Sequence, residues 1–217
     1  MFYGVVHEGY IFDSKDIEYQ VEEFEQGKVK TLFITGQSGS GKSTLGHKYE
    51  EELKIPCYEL DLVAKNYVYK TDKDLKNCGQ DLYDFFHGEG SDFRLLEKPS
   101  KGWPFITDEC CEKFIRFIIK RNARCIVEGI HLYLLFYDKS ISIEEFKNSA
   151  VIIKGTSMAK SYYRSVKRDY ESDKKEDPNI KITDALNFNY LKEKLSYMLK
   201  EEKMIKEMRK KIKELEK

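Results

Sequence analysis

Apolar positions along the 217-residue chain change period several times, and each change predicts an element. Phe2 to Phe12 reads as a short strand pair turned at His7-Glu8-Gly9. Ile17, Val21 and Phe24 then recur at helical spacing, between a cap at Asp13 or Ser14 and a stop at Gly27. Thr31 to Thr35 is a β-branched and aromatic run that predicts a strand. The helix after it carries Leu45, Tyr49 and Leu53 on one side and must end before Pro56. Cys57 to Leu62 predicts a second strand, in which the two-residue repeat puts Glu59 and Asp61 on one face. From Val63 to Phe105 the periodicity is lost, and so long a connection reads as a substrate-covering segment.

Periodicity returns at Thr107, which caps a helix striped by Cys110, Phe114, Phe117 and Ile118 and leads to a third strand, Arg124 to Glu128. A fourth strand, Ala150 to Lys154, feeds a basic segment around Arg164 and Arg168, and residues 171–181 are charged like a flexible lid tip. After Thr183 the chain reads as helix to its end, with Leu191, Leu195, Met198, Ile205, Met208, Ile212 and Leu215 in a stripe broken by Glu201-Glu202. Strands alternating with helices predict an α/β fold with a mostly parallel central sheet. It is read as one domain: an N-terminal appendage (1–29), a core (30–170) holding the segment 63–105, a lid (157–181) and a long C-terminal helix (184–217). The length of that apolar stripe fits packing of its distal half against a second copy in a homodimer.

The first strand runs straight into Gly36-x-x-x-x-Gly41-Lys42-Ser43, the pattern of a phosphate-binding P-loop. At average residue frequencies this pattern arises by chance in roughly one chain in a hundred of this length. Gly36, Gly39 and Gly41 permit a tight turn. With Gln37, Ser38, Ser40 and Thr44, they would present backbone N–H groups to phosphate oxygens at a helix N-terminus. Lys42 is then expected on the β- and γ-phosphates, and the Ser43 hydroxyl on Mg²⁺. Glu128, acidic at the end of an apolar strand, suits a Walker-B-like role in the metal shell, with Glu59 as a second metal contact. Asp61, at a strand exit, faces the expected ligand crevice as the acceptor-binding carboxylate. Arg164 and Arg168 are four residues apart and share a helix face, where guanidinium forks suit a transferring phosphate; a salt-bridged surface helix is the other reading. Arg94 suits an anion contact to the acceptor and equally a solvated surface position.

Composition narrows the partners. Lysine plus arginine equals aspartate plus glutamate at 38 each, so there is no broad basic field to hold an extended nucleic acid. Five cysteines with no C-x-x-C pair fit reduced thiols in a cytoplasmic protein. No apolar run reaches membrane-spanning length, and the first residues do not read as a signal peptide.

Together, GQSGSGKST, the Glu59-x-Asp61 pair, IVEGIHLY and RSVKRD resemble the P-loop small-molecule kinases. The loop is similar to that of gluconate and adenylylsulfate kinases, the acidic pair to that of shikimate kinase, and the last two segments to uridine kinase and phosphoribulokinase. That resemblance implies a three-layer α/β/α fold, ATP·Mg²⁺ as donor and transfer of the γ-phosphoryl group to a small-molecule acceptor, with a nucleoside or nucleotide as the leading class. It implies Lys42 on the phosphates, Ser43 on the metal, Asp61 on the acceptor hydroxyl, and Arg164 and Arg168 closing over the phosphates. A polynucleotide or sugar-nucleotide kinase shares this chemistry, and an NTP-hydrolysing switch is the reading from another class. The sequence departs from shikimate kinase in having Glu at the first acidic position. It carries no recognisable acceptor signature between Val63 and Phe105.

Overall fold

The computed structural model describes residues 5–7, 10–12, 21–94, 107–132 and 148–215. Strands β1 (Val5–His7) and β2 (Tyr10–Phe12) pair antiparallel, as the sequence predicts for this front piece. A helical turn α1 (21–25) precedes β3 (Thr31–Gly36), and every residue of β3 is buried. Helix α2 (Lys42–Leu53) leads to β4 (Cys57–Glu59). Further on come α7 (Thr107–Arg121), β5 (Cys125–Glu128) and β6 (Ser149–Gly155).

Four strands, β4, β5, β3 and β6 in that spatial order, are mutually parallel. On the far side of β6, β1 adds a further parallel strand through Val5↔Ile153, Val6↔Lys154 and His7↔Gly155. The N-terminal appendage therefore supplies sheet as well as the helical turn α1. From β3 the chain moves to one side for β4 and β5 and then crosses to the other for β6. That reversal opens a crevice at the carboxyl ends of the strands.

Side-chain alternation divides the core. Phe33, Val127, Val151 and Ile153 belong to one buried cluster, whereas Leu32, Ile34, Ile126 and Ile152 belong to the other. Both faces of the strands are thus covered, which is why they read as unbroken apolar runs rather than alternating ones. Phe24 from α1 packs into the second cluster, with Leu45, Tyr49 and Leu53 of α2 against it.

The segment after β4 differs from its sequence reading. The strand stops at Glu59, and α3 (Leu60–Lys65) begins at once because Leu60, Val63 and Ala64 bury at helical spacing, with α3 packed on α7. A 3₁₀ turn (Tyr67–Tyr69), α4 (Asp72–Cys78), α5 (Gln80–His87) and α6 (Ser91–Arg94) follow. Thr71 caps α4 by accepting from the Asp74 N–H at 3.2 Å. Val68, Leu75, Leu82, Phe85, Phe86 and Phe93 all enter the first cluster, where Phe85 meets Phe114 edge-on at 5.2 Å. Residues 63–94 are thus a packed helical layer and not an aperiodic cover. Helices this short hold too few turns to show a period. Trp103 and Phe105 lie outside the described residues.

Beyond β6, α8 (Met158–Glu176) extends through half of the stretch read as a lid tip. A single turn, α9 (Ile182–Ala185), leads to α10 (Phe188–Leu215). Met198, Ile205 and Met208 are buried, and the last two join this chain's own first cluster. Those three positions of the stripe are therefore spent internally, whereas Leu195 is exposed. Among the described residues no helix is long and apolar enough to cross a membrane.

Candidate functional site

The turn after β3 requires its glycines. Gly36 has φ +150° and Gly39 has φ +77°, both unfavourable to residues with a Cβ. A Cβ at Gly36 would run into the carbonyl of Lys154 on β6, and one at Gly39 would lie 2.8 Å from the Ser161 carbonyl of α8. These residues therefore also let two neighbouring elements close onto the loop. Gly41, at φ +87°, caps α2 without a side-chain acceptor, and the first turn of α2 holds no acidic residue. Its leading N–H groups and positive dipole end are left without an anionic side chain from that turn.

Two cavities meet at this loop. The smaller, of about 480 Å³, is lined by Gly39 to Thr44 together with Lys154, Arg164 and Arg168. The larger, of about 690 Å³, is lined by Ser38, Glu59, Asp61, Lys65, Glu128 and His131, and by Asp169, Tyr190, Glu193, Lys194 and Tyr197 from the last helices. Lys42, Ser43 and Arg168 line both. The smaller cavity offers cations and backbone N–H groups, whereas the larger mixes carboxylates, amines and phenols.

Lys42 Nζ donates to the Gln37 carbonyl at 3.1 Å. Burial pushes its pKa down, against the fields of Glu128, Glu201 and Asp61. Ser43 Oγ donates to Glu128 Oε1 at 2.9 Å, while Glu128 Oε2 is buried with no hydrogen-bond partner. Burial raises the Glu128 pKa despite Lys42 and the Ser43 hydrogen bond. A hydroxyl, a carboxylate and an orphaned oxygen beside a phosphate-sized cavity fit Mg²⁺, which takes one or two protein oxygens and leaves its other positions to water and phosphate. Among the described residues no group of three or more His, Cys, Asp and Glu could hold a metal unaided. Glu59 lines the larger cavity, with His47 Nε2 at 3.2 Å from its Oε1. Glu59 pairs with Glu128 in the β4–β5 register, so the two carboxylates stand side by side at the strand ends.

Asp61 reaches the larger cavity from the first turn of α3 and not from a strand, which corrects the alternation argument while keeping the residue in place. His131 Nε2 lies 3.2 Å from Asp61 Oδ1, and Lys65 Nζ lies 3.8 Å from Oδ2. The His131 hydrogen bond, outweighing burial and assisted by Lys65, holds the Asp61 carboxyl down at about 2. Asp108 Oδ1 stands 2.8 Å from His131 Nδ1, yet Nδ1 has no hydrogen-bond partner.

Arg164 and Arg168 both face the smaller cavity, as their spacing predicts, and Arg164 also donates to the Gly39 carbonyl at 3.4 Å. Asp169, beside them, accepts from Tyr190 and Lys194 of α10, each at 2.7 Å. These contacts outweigh burial and lower its pKa. Arg94 is not brought to either cavity. Its guanidinium is committed to Asp72 at 2.7 Å and the Lys70 carbonyl at 2.9 Å, tying α6 to the start of α4.

Three residues join the site without having been singled out. Lys154, next to last in β6, stands above Gly41, and a cation at the carboxyl end of a strand could have marked it. His131 follows Glu128 by three positions, close enough in sequence to share its strand end. Glu201 sits in the interruption of the C-terminal stripe. Compared with known proteins, the chain matches no family model and no curated protein.

Proposed function

We propose that this protein is a P-loop kinase of the three-layer α/β/α kind, transferring the γ-phosphoryl group of ATP·Mg²⁺ to a hydroxyl or phosphate of a small metabolite, a nucleoside or nucleotide being the leading class. The observation that carries this reading is the meeting of two chemically different cavities at Lys42, Ser43 and Arg168. Phosphoryl transfer is loose and asks chiefly for positioning and charge stabilisation. A donor phosphate chain in the smaller cavity would point its terminal group at that junction, and an acceptor in the larger cavity would approach it from the other side. Lys42, Arg164 and Arg168 supply charge to the transferring group, and Lys154 adds a fourth cation. Asp61, held by His131 and Lys65, accepts and orients the acceptor hydroxyl. Bound Mg²⁺, held by Ser43 and Glu128 with Glu59 nearby, would neutralise charge on the phosphates. Tyr190 and Lys194, by gripping Asp169, keep α8 and α10 together over the larger cavity and help to exclude water.

The test is ATP consumption against a panel of hydroxyl- and phosphate-bearing metabolites, with Lys42→Ala as control. Consumption should rise with one acceptor class and vanish in the variant, with circular dichroism unchanged. Acceptor-dependent turnover retained in Lys42→Ala overturns the reading. The alternative, an NTP-hydrolysing switch or regulatory ATP-binding module, draws on the contact of α10 with the loop. Consumption of ATP stimulated by a macromolecule, and by no metabolite, would select it.

A further inference from the structure

Glu201 lies on α10 with its residue only 1% exposed, in a helix stripe otherwise built from Met198, Ile205 and Met208. A carboxylate at such a depth is costly unless it is hydrogen-bonded. Both of its oxygens are engaged by one residue of the glycine loop: Ser38 N–H donates to Oε2 at 2.9 Å, and Ser38 Oγ donates to Oε1 at 2.6 Å. The third polar group of Ser38, its carbonyl, accepts from the Ser161 hydroxyl of α8. Every polar atom of this loop residue is therefore tied to a helix more than a hundred positions away in sequence. Lys42, four residues on, also lies in the field of the Glu201 carboxylate.

We infer that Glu201 is a positioning residue for the nucleotide site: it fixes the Ser38 peptide, and through it the course of the loop from Gly36 to Gly41, in the geometry that receives a phosphate chain. This rests on the nucleotide reading above and adds to it that α10 is part of the catalytic unit. The backbone of a glycine-rich loop is intrinsically free, so its N–H groups converge only if something outside it selects one conformation. A bidentate carboxylate from a packed helix is such a constraint. Its charge also complements the loop's donors without entering the smaller cavity, which Glu201 does not line.

The test uses the full chain and a fluorescent ATP analogue, with Glu201→Gln and Glu201→Ala compared against wild type. Gln keeps an acceptor for the Ser38 N–H and offers an amide to its hydroxyl. Ala leaves both donors of half-buried Ser38 without their acceptor. Nucleotide affinity should fall by about tenfold or more in Glu201→Ala and recover most of that loss in Glu201→Gln, as expected when charge-assisted hydrogen bonds that hold the loop are removed and then partly restored. A purely structural role would lower the melting temperature of Glu201→Ala while leaving the affinity of the folded fraction unchanged, and that result overturns the inference. Should Glu201→Ala fail to fold, Ser38→Ala removes one of the two hydrogen bonds and must still weaken binding several-fold; unchanged affinity there is equally fatal. Wild-type protein that binds no nucleotide defeats both this inference and the kinase reading, whereas wild-type binding with indifferent variants defeats this inference alone.

Discussion

Ser43 Oγ and Glu128 Oε1 are 2.9 Å apart, joined by a hydrogen bond that ties the first turn of α2 to the end of β5. Glu128 nevertheless keeps one buried oxygen without a partner, and burial raises its pKa. A carboxyl whose folded pKa is raised favours the folded state while protonated, and that contribution is lost as pH rises through the folded value. Once ionised, Glu128 therefore places an incompletely compensated negative charge where the proposed cation would sit.

Glu128→Gln should on this basis stabilise the ligand-free protein while impairing its function. A gain of about 1 kcal/mol corresponds to roughly 2–4 °C in melting temperature for a chain of this size. The variant should also lose the decline in stability above the usual carboxylate range, and should need more Mg²⁺ for nucleotide binding. Thermal melts across pH, with affinity measured at several Mg²⁺ concentrations, check all three. A variant with unaltered pH dependence and Mg²⁺ requirement would count against Glu128 as the metal-shell carboxylate.

Asp61 titrates in the opposite sense. Held at about 2 by His131, it favours the folded state above its unfolded value, and that contribution is lost only as pH falls towards 2. With its side chain 55% exposed, solvent screening keeps the effect on stability small. Such a weakly basic carboxylate suits holding a hydroxyl more than early proton removal. Asp61→Asn should therefore cut acceptor turnover strongly with Mg²⁺·ATP affinity near wild type, and Asp61 should contribute no acid limb to the rate between about pH 5 and 8. A metal-dependent binding defect in Asp61→Asn would reverse the roles of the two carboxylates.

Arg164 and Arg168 offer planar forks to the smaller cavity, and a lysine would substitute a point charge. Replacing either by Lys should lower turnover by about tenfold or more while weakening ATP binding much less, if their contacts strengthen as charge develops on the transferred group. Equal losses in both would make them ground-state anchors. No loss would leave the Arg164 contact with Gly39 as a structural one.

The loop and its cations were legible because their chemistry is local: Gly36 to Thr44 is a contiguous pattern, and Arg164 and Arg168 need only helical spacing to share a face. Glu59 lines the larger cavity from the strand the alternation predicted, and Asp61 reaches the same cavity from a helix instead, because a strand end and the first turn of a helix can deliver neighbouring side chains to one place. The contacts of Arg94 could not be read from the sequence because its partners, Asp72 and the Lys70 carbonyl, are specified by the packing of short helices that show no period. Glu201 was hidden by the same physics that makes it informative. In a stripe of apolar positions a carboxylate reads as an interruption, and only the distant Ser38 explains its burial.

Gly39 provides a test of how closely α8 must sit on the loop. A Cβ there would lie 2.8 Å from the Ser161 carbonyl and 3.3 Å from Arg164 Cβ, at a φ of +77° that itself disfavours alanine. The conformational strain alone is worth about 1–2 kcal/mol. The backbone clash cannot be relieved by a rotamer change, so α8 must move away. Gly39→Ala should therefore lower the melting temperature by several degrees. It should also withdraw Arg164 and Arg168 from the smaller cavity, so that turnover falls in the fraction that remains folded. Hydrogen exchange supplies the direct measurement: amides in the first three turns of α8 should lose protection in the variant, while those of β3 and β5 keep theirs. If protection of α8 is unchanged, the helix does not depend on the missing side chain at position 39, and the close packing of α8 against the loop is not what holds the two arginines over the smaller cavity.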